Sequence, residues 1–215
     1  MGLKEICNKY PTDKGQMGYV PIYENLFNDL KDKPIKILEI GIKEGGSIKM
    51  WSDYFEHGEI YGFDLGWPRV GSNDYFKKIE NDFPRVKTFI GDQRKRDSLL
   101  AFIKEYGGEF DIIIDDGGHS MPQQQISFGY LFPYVKTGGI YVIEDLVTSD
   151  SKKPNHGVLP DKSNTTMKML NDYMVTKKFN SIYIYEEEKE YVNEHVLSIE
   201  VVKSTGSKLC AIKKK

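Results

Sequence analysis

Between Phe110 and Asp145 the chain carries two uninterrupted apolar runs that each end in acids, and this limits the folds open to it. The first, Ile112-Ile113-Ile114, follows Asp111 and runs into Asp115-Asp116-Gly117-Gly118-His119. The second, Ile140-Tyr141-Val142-Ile143, runs into Glu144-Asp145. Unbroken β-branched runs flanked by turn residues read as parallel strands covered on both faces. In open α/β sheets, ligands gather beyond the carboxyl ends of such strands. The carboxylates of Asp115, Asp116, Glu144 and Asp145 and the imidazole of His119 are therefore expected on one sheet edge.

The rest of the chain supplies the other layers. Ile22, Leu26 and Leu30 form the stripe of a helix over residues 21–30, after a polar, turn-rich stretch through residue 18. Strands are expected at 35–40, 60–64 and 86–90. Helices are expected from Ser47 as cap (with Ile48, Trp51 and Phe55 inward), at 73–82, at 95–106 and at 122–134. This βα alternation predicts a Rossmann-like doubly wound α/β sheet. Val196 to Lys203 and Lys208 to Ile212, joined by Ser204-Thr205-Gly206-Ser207, add an antiparallel C-terminal hairpin, for about seven strands in all. At 215 residues, with no repeat or composition break, the chain reads as a single domain, 1–215.

Thirty Lys and Arg against 32 Asp and Glu give a formal net charge of −2, which disfavours nucleic acid as a partner. No apolar run approaches the ~20 residues of a membrane span. The opening residues lack the apolar core of a signal peptide, and two cysteines, Cys7 and Cys210, suggest no disulfide framework. A cytoplasmic protein is expected.

The loop after the first strand, Gly41-x-x-x-Gly45-Gly46-Ser47, departs from the G-x-G-x-x-G spacing of dinucleotide sites, which argues against a nicotinamide-dependent oxidoreductase. Glu39, two residues before Gly41, would attract a cationic ligand and repel pyrophosphate. Asp64, ending the second strand, is placed for ribose hydroxyls, and Asp92, after the third, for an adenine amino group. Taken singly, each acid is more often a helix cap. Together they fit a ligand with adenine, ribose, a positive charge and no phosphate: S-adenosyl-L-methionine. The acid cluster beyond the fourth and fifth strands has oxygen-only character and suits a hard cation such as Mg²⁺.

The order of these motifs resembles the class I S-adenosylmethionine-dependent methyltransferases, and Leu131-Phe132-Pro133-Tyr134-Val135-Lys136-Thr137-Gly138-Gly139 is similar to their lead-in to strand five. DDGGH followed by the Glu-Asp of YVIEDL, with TDKG and GYVPIYENLF nearer the N-terminus, resembles the metal-dependent sugar O-methyltransferases of macrolide biosynthesis. The resemblance implies a metal on Asp116, Glu144 and Asp145 and a general base at His119. It also implies that residues 1–32, with Tyr19 and Tyr23, cover the cofactor, for which Glu39, Gly41, Gly45, Ser47, Asp64, Asp92 and Asp115 are the other candidate contacts; Asp115 could also help with the metal or orient the Gly117-Gly118 loop.

The reaction expected is in-line transfer of the sulfonium methyl to a sugar hydroxyl, the metal chelating adjacent hydroxyls and His119 taking the proton. A catechol-type small-molecule O-methyltransferase and a non-catalytic cofactor-binding module are the rivals. Residues 150–164, which include His156, are either a flap over the site or a connecting loop. Two of Gln123, Gln124 and Gln125 are expected to face water, and His57 and His195 to lie on the surface. Phe179, Tyr183, Tyr185 and Tyr191 serve either a homo-oligomer interface or a strand core.

Overall fold

The computed structural model describes residues 1–66, 73–150 and 162–215. Seven strands form one sheet in the order β3-β2-β1-β4-β5-β7-β6. They are β1 (Lys36–Ile40), β2 (Glu59–Asp64), β3 (Val86–Ile90), β4 (Phe110–Asp115), β5 (Val135–Ile143), β6 (Val196–Lys203) and β7 (Lys208–Lys214). β1 to β5 pair in parallel, and β7 enters antiparallel between β5 and β6. Strand order reverses between β1 and β4, where Ile40 pairs with Asp115, so the crevice for ligands opens at this point.

The helices are α1 (Leu3–Cys7), α2 (Val20–Phe27), α3 (Gly46–Tyr54), α4 (Asn73–Asp82), α5 (Arg96–Tyr106), α6 (Met121–Leu131), α7 (Thr166–Thr176) and α8 (Glu186–His195). Burial on both faces explains the apolar run of β4. Ile112 and Ile114 join the core under α1–α4 with Phe27, Ile48 and Trp51. Ile113 joins the opposite core with Phe102, Phe128 and Leu170. No helix among the described residues is long and apolar enough to cross a membrane.

Several local expectations change. Helix α3 starts one residue before Ser47, because Gly45 takes the N-cap in a left-handed conformation (φ 70°), and the Ser47 hydroxyl donates to Glu39 Oε2 at 2.7 Å. The polar N-terminal stretch contains α1, whose Leu3, Ile6 and Cys7 are buried. Helix α6 ends at Leu131, and a 3₁₀ turn over Phe132–Tyr134 leads into β5 at Val135. Gln124 and Gln125 are buried, donating to the Glu144 and Asn164 carbonyls at 2.9 and 2.8 Å, because α6 lies flat against the strand ends.

The strand alternative for the 179–191 stretch gives way to α8, whose first turn carries Glu186, Glu187 and Glu188. Phe179 stacks on Tyr173 in the core instead of facing a partner, whereas Tyr185 is exposed. Most of the 150–164 stretch, with His156, lies outside the described residues.

The loop of the terminal hairpin packs on the N-terminal segment. Gly206 N–H donates to the Met17 carbonyl at 3.2 Å, and a side chain at Gly18 (φ 75°) would run into Thr205.

Candidate active site

A cleft of about 880 Å³ opens over the carboxyl ends of β1, β2, β3 and β4. Gly41, Ser47, Asp64 and Asp92 line one half, and Asp116, His119 and Asp145 the other. Pro11, Thr12 and Asp13 of the N-terminal segment form part of its wall.

On the glycine side, Gly41 (φ 94°) has to be glycine, since a Cβ there would run into the Asp116 carbonyl. Asp64 holds the loop by accepting the Ile42 and Lys43 N–H groups on Oδ2 (2.7 and 3.1 Å) and Gly66 N–H on Oδ1 (2.9 Å). Asp92 is paired with the Arg94 guanidinium, which donates to both carboxylate oxygens and holds the Asp92 carboxyl below its usual pKa.

Asp115, expected at the cofactor, turns into the interior instead. It accepts from Gln93 Nε2 at 3.1 Å and from the Ser127 hydroxyl, and burial raises its pKa to about 6. Gln93 also accepts Gly118 N–H on Oε1 at 2.8 Å, which fixes the turn that presents Asp116 and His119.

On the acid side, His119 and Asp145 both have left-handed backbone, φ 53° and 55°. Their side chains meet at Nε2···Oδ2 3.3 Å, while His119 Nε2 lies 4.0 Å from Asp116 Oδ1. Among the described residues, the buried His119 Nδ1 has no hydrogen-bond partner. Ligand atoms of Asp116, His119 and Asp145 all lie within 4.8 Å of one another. Tyr19, expected over the cofactor, is buried and instead donates its hydroxyl to Asp145 Oδ1 at 2.7 Å; burial and this carboxylate raise its pKa.

Glu39 and Glu144 do not open on the cleft. Both are buried around Lys14, whose Nζ lies 2.9 Å from Glu39 Oε1, 2.8 Å from Asp116 Oδ2 and 2.6 Å from Glu144 Oε1. The Tyr23 hydroxyl donates to the same Glu144 oxygen. Burial pushes the Glu39 and Glu144 carboxyls up. Burial also opposes the charge on Lys14, but Asp116, Glu144 and Glu39 outweigh it and keep the ammonium well above its ordinary pKa. The expected acids thus divide: Asp115 turns inward, Asp116 and Asp145 face the cleft with His119, and Glu144 stands behind with Glu39 on Lys14, with Asp116 common to both groups.

Sequence reasoning missed Lys14 and Gln93 as site-building residues. A lysine in a turn-rich segment ordinarily reads as solvated, and the only signal was its place in the TDKG motif.

No protein-family model matches the chain. Among curated proteins, it is 41% identical over 156 residues to the 8-demethyl-8-(2-methoxy-alpha-L-rhamnosyl)-tetracenomycin-C 3'-O-methyltransferase of Streptomyces olivaceus, covering 68% of this chain and 37% of that protein. It is 36% identical over 156 residues to the mycinamicin VI 2''-O-methyltransferase of Micromonospora griseorubida, covering 68% of this chain and 36% of that one. The chain thus spans little more than a third of the length of these relatives. Among solved structures, the mycinamycin-pathway methyltransferase MycE, in complex with Mg, SAH and mycinamycin VI, superposes with a TM-score of 0.78 at 29% identity. That match covers 100% of this chain and 54% of the other.

Proposed function

Because this chain belongs to the class I S-adenosylmethionine-dependent methyltransferases, we propose that it transfers the methyl group of S-adenosyl-L-methionine to a hydroxyl of a sugar or sugar-linked acceptor. The observation that carries this reading is the division of one cleft into a glycine-loop half and an acid half with His119. The relatives' names, both O-methyltransferases and one of them acting on a rhamnosyl-tetracenomycin, support the acceptor class.

The residues present fit both absent groups. The Gly41 turn, with no room for a side chain, allows close approach of a cofactor to the backbone, and Asp64 and Asp92 line the same half. Two cleft-facing carboxylates with an imidazole beside them form a donor set for a hard divalent ion. Asp116 and Asp145 would hold it, with Glu144 completing the acid cluster from beneath. When bound, Mg²⁺ supplies positive charge that lowers the pKa of a neighbouring hydroxyl, and the cofactor supplies an electrophilic methyl group.

The chain's own residues do the rest. His119 accepts the proton of the attacking hydroxyl. Nε2 is the ring nitrogen beside the cleft-facing carboxylates, 3.3 Å from Asp145 Oδ2 and 4.0 Å from Asp116 Oδ1, while Nδ1 is buried, so Nε2 is the atom placed to take the proton. Tyr19 fixes Asp145 by donating to its Oδ1, and accepts the Asp145 N–H at 3.1 Å. The narrow cleft confines donor and acceptor, removing much of the entropic barrier to their meeting.

The test is formation of S-adenosylhomocysteine on incubation with S-adenosylmethionine, Mg²⁺ and a panel of nucleotide sugars, glycosylated natural products and catechols. Turnover confined to sugars and abolished by chelation supports the reading. Turnover on catechols alone moves the chain to the rival acceptor class. No binding of S-adenosylhomocysteine in calorimetry ends the methyltransferase reading.

A further inference from the structure

Lys14 is the one lysine among the described residues with a fully buried side chain ringed by acids, and proton transfer at His119 does not use it. Its ammonium has three N–H donors and no acceptor. Three carboxylates, from the ends of β1, β4 and β5, lie 2.6–2.9 Å from it: Asp116 and Glu144 accept its hydrogen bonds, and Glu39 is held beside it as an ion pair. These are the distances of charge-assisted hydrogen bonds. With Nζ taken away, Glu39, Asp116 and Glu144 still present one oxygen each within 4.8 Å of one another. That is an oxygen-only set of a size that a hard divalent ion accepts.

We propose that Lys14 is a positioning residue whose ammonium is a built-in cation, holding a place among Glu39, Asp116 and Glu144 that a second divalent ion would otherwise take. The site on the cleft side of Asp116 then receives a single exchangeable metal, and the surplus charge behind it is met by a group that cannot leave. Lys14 is carried on the turn that closes with Met17 N–H on the Asp13 carbonyl at 2.8 Å and Tyr19 N–H on the Lys14 carbonyl at 2.9 Å. The same ammonium therefore pins the N-terminal segment over the cleft. The proposal rests on the metal reading above only for the ion on the cleft side.

The experiment counts Mn²⁺ ions by electron paramagnetic resonance titration and follows thermal unfolding, for the wild type, Lys14→Ala and Lys14→Arg. The wild type is expected to bind one ion and Lys14→Ala two. Lys14→Ala should unfold roughly 10 °C lower without metal, from an uncompensated buried charge cluster, and recover most of that loss in Mn²⁺ but not in matched NaCl. Lys14→Arg, which keeps the charge, should stay at one ion.

An unchanged count in Lys14→Ala with no recovery of stability in Mn²⁺ overturns the proposal, and so does a second ion in Lys14→Arg. If Lys14→Ala folds only with Mn²⁺ present, that dependence supports it. If Lys14→Ala fails to fold with or without Mn²⁺ while the charge-relieved Lys14→Met, Glu39→Gln double variant folds, the ion cannot replace the ammonium and the proposal falls. A wild type that binds no Mn²⁺ ends the metal reading alone, since a rise from none to one in Lys14→Ala would still support the role given to Lys14.

Discussion

His119 and Asp145 face each other across the acid side of the cleft with Nε2 and Oδ2 3.3 Å apart, and both do so from left-handed backbone. Thr148 Oγ1 ties their main chains together, 3.0 Å from the His119 carbonyl and 2.9 Å from that of Asp145. Left-handed non-glycine residues cost on the order of 1–3 kcal/mol each and persist where the surroundings over-determine them. Two of them stand opposed here, tied by one hydroxyl, on a backbone that its surroundings over-determine.

The first expected outcome concerns the base. His119→Asn keeps a residue that tolerates the left-handed conformation while removing the imidazole. Its turnover should fall by roughly 10²- to 10⁴-fold, the usual contribution of a general base. Calorimetric affinity for S-adenosylhomocysteine should stay within about twofold of wild type. A normal rate would remove His119 from proton transfer.

On the cofactor side, Asp64→Asn loses the charge that holds the Ile42, Lys43 and Gly66 amides. Hydrogen bonds to a charged group contribute about 1.5–3 kcal/mol, so S-adenosylhomocysteine binding should weaken roughly 10- to 100-fold. Equilibrium dialysis or calorimetry reads this directly.

Gly41→Ala tests how tightly the two halves of the cleft are joined. The added methyl would run into the Asp116 carbonyl at a φ of 94°. A loss of about 3 kcal/mol or more in urea unfolding is expected, together with weakened Mn²⁺ binding, because Asp116 has to move to make room. Unaltered metal affinity would mean that the backbone gives way elsewhere.

Both thiols should be silent in the native state. Burial raises the pKa of Cys7 and of Cys210, so little thiolate forms at pH 8, and neither sulfur is open to reagent. Ellman's reagent should find no thiol in the folded protein and two after denaturation.

The sheet and the strand-end acids were legible because they rest on local pattern. An unbroken Ile112–Ile114 run can only be covered on both faces, and the acids that follow it must then sit at a strand end. What the sequence hides is the partition of the acids. Asp116 and Asp145 open on the cleft while Glu39 and Glu144 close on an ammonium more than twenty residues from any of them, a matter of tertiary contact alone. Glu39 reads as bait for a cationic ligand, and the cation it meets is the chain's own. Gln124 and Gln125 were misjudged for a related reason: polar side chains on a helix face read as wet until the carbonyls they serve are located. Helix α8 carries too many charges among its few apolar residues for period alone to reveal it.

The contact between the hairpin loop and the Met17–Gly18 turn sets an order of assembly during synthesis. Lys14 leaves the ribosome well before the strands that bring Gly206 to the Met17 carbonyl. A nascent chain therefore carries its acids before it has the brace that seats their counter-charge. Amide exchange at Met17–Tyr19 should slow only after residues 196–215 have emerged, so the acid cluster around Lys14 settles only once the hairpin is in place.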